Sequence, residues 1–233
     1  MRIASFDIET TDLKANMGII LCASFHEIVP PGYYSNHHDT LNKPYTLKLK
    51  IDDPFDPNPD KELVIAIRDE IEKYNGIVTW NGKMFDIPFL NARLMFHGER
   101  PTRIQFHIDA MYYAGGTSNR IGSRRLISVQ QFLGIGNEEG KTPLTWDTWK
   151  SAMRGSPKAM KDVVKHCEMD VLVLTRAYWA LLPYIANIHR GFSPPRLLHI
   201  NVVFGILVPI IFELLCREGV EWKHLQRTKY VNT

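Results

Sequence analysis

Apolar residues recur along this chain in two rhythms, short unbroken runs and helical stripes, and their alternation predicts the order of elements. Residues 2–9 form a short apolar run that stops at Thr10, Thr11 and Asp12, and residues 18–28 have strand length with β-branched and aromatic content, so the two read as a hairpin. Residues 30–59 carry several prolines, the adjacent His37 and His38, and one candidate strand at 45–51; they read as an irregular surface excursion. From Asp60 the period changes. Leu63, Ile67 and Ile71 recur at helical spacing with charges between them, and residues 76–80 form a compact apolar strand. The alternation repeats, with 87–97 helical, 105–110 a strand, and 123–133 helical with Gly134 as its stop. Residues 156–189 predict a helix pair, opened by Ser156 and Pro157 and striped by Val163, Val164, Val171, Leu172 and Leu174. Such alternation implies an α/β domain built on a mixed sheet flanked by helices.

Composition narrows this picture without changing it. A chain of 233 residues with 45% hydrophobic and 11% aromatic content can bury a substantial core in one domain with an appendage. With 23% charged residues and recurrent apolar runs, disordered and fibrous classes drop out. A net charge of +3 is too mild to announce a nucleic-acid binder by itself. Cys22, Cys167 and Cys216 show neither CxxC spacing nor histidines at zinc-ligand intervals, which sets aside a disulfide framework or zinc site and fits a reducing cytoplasm. The acidic N-terminus lacks the apolar stretch of a signal peptide, so a cytoplasmic protein is expected. The most apolar segment, 200–216, is interrupted by Asn201, Pro209 and Glu213 and falls short of the ~20 apolar residues that span a bilayer, so no membrane partner is expected.

The expected division is a domain over 1–190 and an apolar helical appendage with its linker over 191–233. In that appendage Val202, Val203, Ile206, Ile210, Ile211, Leu214 and Leu215 surround Pro209. Such a surface must be covered by its own domain, by a protein partner or by a second copy.

Three short segments carry the candidate chemistry. In a strand, Asp7 and Glu9 face the same side, so two carboxylates would stand together at the strand's end while Phe6 and Ile8 point into packing. A divalent cation between them would relieve their repulsion; an ordinary solvated strand end carries the same pattern. In Asn81-Gly82-Lys83-Met84-Phe85-Asp86-Ile87-Pro88 a strand ends and Asp86 sits at the start of the next helix, where capping alone would account for it. His166 and Asp170 lie one helical turn apart and share a face, an acid beside a potential base, or a surface pair.

Taken together and in this order, Phe6-Asp7-Ile8-Glu9-Thr10, the Asn81 to Pro88 segment and His166-Cys167-Glu168-Met169-Asp170 resemble the three exonuclease motifs of the DEDD superfamily. They look most like the proofreading exonuclease domains of family-B DNA polymerases and their stand-alone relatives. The segment from Arg124 to Gly134 also resembles the helix that precedes the third motif in many relatives.

The resemblance implies a ribonuclease H-like fold, with Asp7, Glu9, Asp86 and Asp170 holding two Mg²⁺ or Mn²⁺ ions across a scissile phosphate. It implies a 3′→5′ exonuclease on single-stranded 3′ ends, DNA favoured, with an exoribonuclease or a catalytically inactive nucleic-acid-binding module on the same fold as alternatives. Thr10, Thr11 and Leu13 would lie near the terminal nucleotide, and Asn81 and Phe85 would touch its sugar or base. Turn chemistry and packing explain those residues equally well. Lys14, Lys83, Arg120, Arg124 and Arg125 are candidate phosphate contacts or solvated surface charges. One departure is informative. One branch of the superfamily has Tyr four residues before the last Asp and the other has His five before it, whereas this chain has His166 at four and Lys165 at five. An imidazole there could act as a general base where a tyrosine could only orient water.

Overall fold

The structure is a computed structural model, and it describes residues 2–29, 43–51, 53, 55–115, 119–135 and 144–188. The excursion expected around His37 and His38, the linker after Arg190, Cys216 and the apolar appendage at 191–233 lie outside the described residues.

The chain forms the expected hairpin from β1 (Ile3–Thr10) and β2 (Ile20–Glu27), paired antiparallel with Phe6 opposite Phe25 and Glu9 opposite Cys22. β3 (Tyr45–Lys48) adds antiparallel to β2 and is shorter than the run at 45–51 suggests. Helix α1 (Lys61–Ile71) leads to β4 (Gly76–Thr79), which lies parallel to β1. Helix α2 (Asp86–Phe96) leads to β5 (His107–Asp109), parallel to β4, and the sheet order is β3-β2-β1-β4-β5. Three parallel strands therefore send their carboxyl ends, Thr10, Thr79 and Asp109, to one edge of the sheet. Ligand sites of open α/β sheets collect at such an edge.

Pleating divides β1 by parity. Ala4, Phe6 and Ile8 are buried in the main core with Val64 and Ile67 of α1 and Leu90 and Leu94 of α2. Phe25 continues that face, its ring 5.0 Å from Phe6 and stacked on Tyr74. The odd positions turn to the other face, which a long helix covers.

The short α3 (Met111–Ala114) and α5 (Trp146–Met153) were not anticipated; α4 (Leu126–Phe132) replaces the helix expected from Ser123 and stops at Gly134, whose φ of 63° suits glycine. The expected helix pair is instead one helix, α6 (Pro157–Ile188), with Pro183 inside it. Its stripe runs unbroken through Val163, Cys167, Val171, Leu174, Tyr178 and Leu181, all buried, so the polar His166, Glu168 and Asp170 fall outside the stripe. Buried hydroxyls pin this helix to the sheet. Thr175 Oγ1 lies 2.7 Å from Ser5 Oγ and 2.8 Å from His26 Nδ1, and Thr46 Oγ1 donates to Glu168 Oε1 at 2.9 Å. Among the described residues no helix is long and apolar enough to cross a membrane.

Candidate metal and nuclease site

Asp7 and Glu9 end β1 on the face that α6 covers. The Cys167 thiol of α6 lies 3.5 Å from both the Asp7 carbonyl oxygen and its Oδ2, a donor contact that ties the ligand strand to the helix. Surrounding protein excludes water from the Asp7 carboxyl and raises it well above the usual range, and Cys167, Asp86, Asp170 and Glu9 add to the rise. The ladder with β2 shifts between Glu9 and Thr10, so Glu9 stands at a bulge.

Asp86 is the first residue of α2 and is only 3% exposed. Its Oδ1 accepts the Ile8 backbone N–H of β1 at 3.2 Å. Burial lifts its carboxyl to about 7, against the opposing pull of the Asp86 and Ile8 N–H groups. The turn that delivers it is tightly built. Asn81 has φ 67°, and a Cβ on Gly82 would come within 2.4 Å of the Thr79 Cβ. Asp109, at the end of β5, accepts the backbone N–H groups of Asn81 at 2.9 Å, Lys83 at 3.0 Å and Met111 at 3.2 Å. Sequence reasoning missed Asp109, a single acid closing β5 without the paired carboxylate that drew attention to β1.

Helix α6 supplies the third segment, and His166 and Asp170 share a face as their spacing predicts. His166 Nε2 lies 3.4 Å from Asp170 Oδ2 and 3.8 Å from Glu9 Oε1. One ligand atom from each of Glu9, His166 and Asp170 falls within 4.8 Å of the others. Glu9 Oε2 accepts the indole N–H of Trp149 at 2.9 Å, a partner that nothing in the motif spacing announces.

The donor set fits divalent metal. Carboxylate oxygens suit Mg²⁺ and Mn²⁺, and acids that raise one another's proton affinity at close quarters are acids whose charges a cation would compensate. An imidazole among them is chemically able to serve as a ligand or as a base.

The substrate candidates fall differently. Thr10 Oγ1 donates to the Asp12 carbonyl, and Thr11 Oγ1 accepts the Ile19 N–H, so both hydroxyls shape the loop after β1. Leu13 on that loop is 76% exposed. Asn81 sits in the Asp109 turn, and Phe85 packs against the core with its ring 5.7 Å from Phe89. Lys14, Lys83, Arg120, Arg124 and Arg125 are all exposed, and the Trp80 indole N–H binds the Arg124 carbonyl, holding that basic stretch beside the end of β4.

A family model of the RNase H superfamily matches residues 4–182. Among solved structures, the family B DNA polymerase from the hyperthermophilic archaeon Pyrobaculum calidifontis superposes with a TM-score of 0.56 at 16% identity, over 78% of this chain and 25% of that one. The present chain thus spans about a quarter of the polymerase's length. No curated protein matches. The mixed sheet with its flanking helices is a ribonuclease H-like, nuclease-type fold.

Proposed function

The chain belongs to the RNase H superfamily, and from that premise we propose that it is a metal-dependent 3′→5′ exonuclease acting on single-stranded 3′ ends, with residues 1–190 as the nuclease domain. One observation carries the proposal: Glu9, His166 and Asp170 gather their ligand atoms within 4.8 Å beside Asp7, whose carboxyl feels Asp86, Asp170 and Glu9 together. The fold likeness to a DNA polymerase supports DNA ahead of RNA.

In this reading Asp7, Glu9, Asp86 and Asp170 hold two divalent ions. Bound there, Mg²⁺ or Mn²⁺ supplies Lewis acidity to water and to the phosphate oxygens. His166 removes a proton from the attacking water at Nε2, with the Asp170 and Glu9 carboxylates beside that atom to stabilise the cation formed. Water oxygen bonds to phosphorus as the bond to the 3′-oxygen breaks and that oxygen takes a proton from solvent, releasing a nucleoside 5′-monophosphate and a strand with a new 3′-hydroxyl. Exposed Leu13 supports the terminal nucleotide, Thr10 and Thr11 shape the loop that carries it, and Asn81 and Phe85 border the Asp86 side. Lys14, Lys83, Arg120, Arg124 and Arg125 contact backbone phosphates without reading sequence.

The test is a time course on 5′-labelled single-stranded DNA and RNA of one sequence with Mg²⁺, Mn²⁺ or EDTA, beside Asp7→Ala. A shortening ladder that needs metal and vanishes in the variant is expected. Preference for RNA would make the protein an exoribonuclease, and no cleavage by folded protein with either metal would leave a binding module.

A further inference from the structure

Of the four carboxylates proposed as metal ligands, Glu9 alone is a glutamate. It has one more rotatable bond than an aspartate, and it stands where the β1–β2 ladder shifts register. Asp86, by contrast, is buried at a helix start against the Ile8 N–H, and Asp7 lies against the Cys167 thiol. A side chain of that length is oriented by a hydrogen-bond donor on another element.

Helix α5 provides one. Trp149 is half-buried, packs against the main core and donates its indole N–H to Glu9 Oε2 at 2.9 Å, while Glu9 Oε1 faces His166 Nε2 at 3.8 Å. The two oxygens are thereby distinguished, one fixed to the protein and the other turned toward the histidine. An indole suits this task. It is a donor only, it has no proton to lose in the working pH range, and its large ring is held by packing rather than by the bond itself. A lysine in its place would neutralise the carboxylate and compete with a cation, whereas the neutral N–H leaves Glu9 its charge.

We infer that Trp149 is a positioning residue for metal binding, acting through Glu9 by fixing the rotamer in which Oε1 is presented beside His166 and Asp170. The inference rests on the proposed metal site. Partners that orient metal ligands are typically worth about 10–100-fold in metal affinity.

The experiment is calorimetric titration of Mn²⁺ into the full chain, for the wild type, Trp149→Phe, Trp149→His and Trp146→Phe, with thermal melts of each in EDTA. Trp146 lies on the same helix, its ring 6.0 Å from that of Trp149. The Phe variant keeps the packing and loses the donor, so Mn²⁺ affinity should fall about 10–100-fold while its melt in EDTA stays near that of the wild type. Trp149→His restores an N–H donor and should recover part of the loss, and Trp146→Phe should bind as the wild type does. Wild-type affinity in Trp149→Phe would overturn the inference and leave the nuclease reading intact. Equal losses in Trp146→Phe and Trp149→Phe would also overturn it, because the helix and not the hydrogen bond would then matter. Failure of the wild type to bind Mn²⁺ at all would overturn the metal site and the inference with it.

Discussion

Replacing Asp86 with Asn reads the site through stability rather than turnover. In metal-free protein, burial lifts the Asp86 carboxyl from 3.8 to about 7; the Asp86 and Ile8 N–H groups pull the other way, and Asp109 adds a push upward. A carboxyl raised in the folded state binds its proton more tightly there than in the unfolded chain. Its contribution to stability is therefore complete below the unfolded value and is lost as pH rises through about 7. At about 1.4 kcal/mol per unit, the rise from 3.8 to about 7 corresponds to about 4 kcal/mol at pH 8. Asn has the same shape, keeps an oxygen for the Ile8 N–H and carries no charge at any pH. For a domain of this size, about 4 kcal/mol is roughly 8–16 °C in Tm.

The assay is thermal and urea unfolding of both proteins in EDTA from pH 4 to 9, then with Mg²⁺ or Mn²⁺. The variant should match the wild type near pH 4, become progressively more stable through pH 5–7, and hold a constant advantage above pH 8. Metal should narrow the variant's advantage above pH 8 without abolishing it, because a ligand at 100 times its Kd adds about 2.7 kcal/mol to the protein that binds it, less than the roughly 4 kcal/mol at stake. A difference that does not change with pH, or a variant less stable than the wild type at pH 8 in EDTA, would refute the reasoning.

The other predictions concern what surrounds the carboxylates. Asp60 is fully buried; burial pushes its carboxyl up, but hydrogen bonds from Arg93 and His97 outweigh that and hold it below its usual value. Asp60→Asn should cost about 3–5 kcal/mol in urea unfolding at pH 7. That contribution is present above the unfolded value of 3.8 and fades as pH falls through the lower folded one, so the deficit should shrink in acid; a deficit independent of pH would count against the ion pair. Gly82→Ala should destabilise by about 1–3 kcal/mol, because Thr79, held by His107 at 2.9 Å, has no room to move; nuclease activity should fall by more than stability does, as the turn carrying Asp86 shifts. His166→Ala should lower the metal-supported rate by about 10²–10⁴-fold, and a rate within a few-fold of the wild type across pH 6–9 would remove its role as base.

How much of this was legible in the sequence depended on distance along the chain. Asp7, Glu9, Asp86, His166 and Asp170 each lie in a short local segment, and it was the resemblance of three such segments, in order, to known motifs that singled them out. Their supports come from far away: Asp109 to the Asn81 turn, Trp149 to Glu9 across 140 residues, and Cys167 to Asp7 across 160. No local period encodes such pairs. Helix α5 escaped for another reason, since Trp146, Trp149, Ala152 and Met153 among polar neighbours make too short a stripe to stand out. The helix pair expected at 156–189 is one helix, α6. A helix that lies on a sheet with one face and lines a site with the other must carry polar residues in its middle without ending there.

That same division runs through β1 and explains why fold and chemistry need not compete. Even-numbered Ala4, Phe6 and Ile8 fill the main core, while odd-numbered Ser5, Asp7 and Glu9 face α6 and meet Thr175, Cys167 and His166. A strand's side chains alternate with a period of two, so a slip of one residue would drive two carboxylates into the core and turn Phe6 and Ile8 toward the site. The core therefore holds the register that the chemistry requires. The pairing of Phe6 with Phe25 fixes it on one side of the sheet, and the Ser5–Thr175–His26 hydroxyl cluster fixes it on the other. Substitutions at odd positions near the strand's end should remove activity and spare the fold, whereas substitutions at even positions should do the reverse until the register itself gives way.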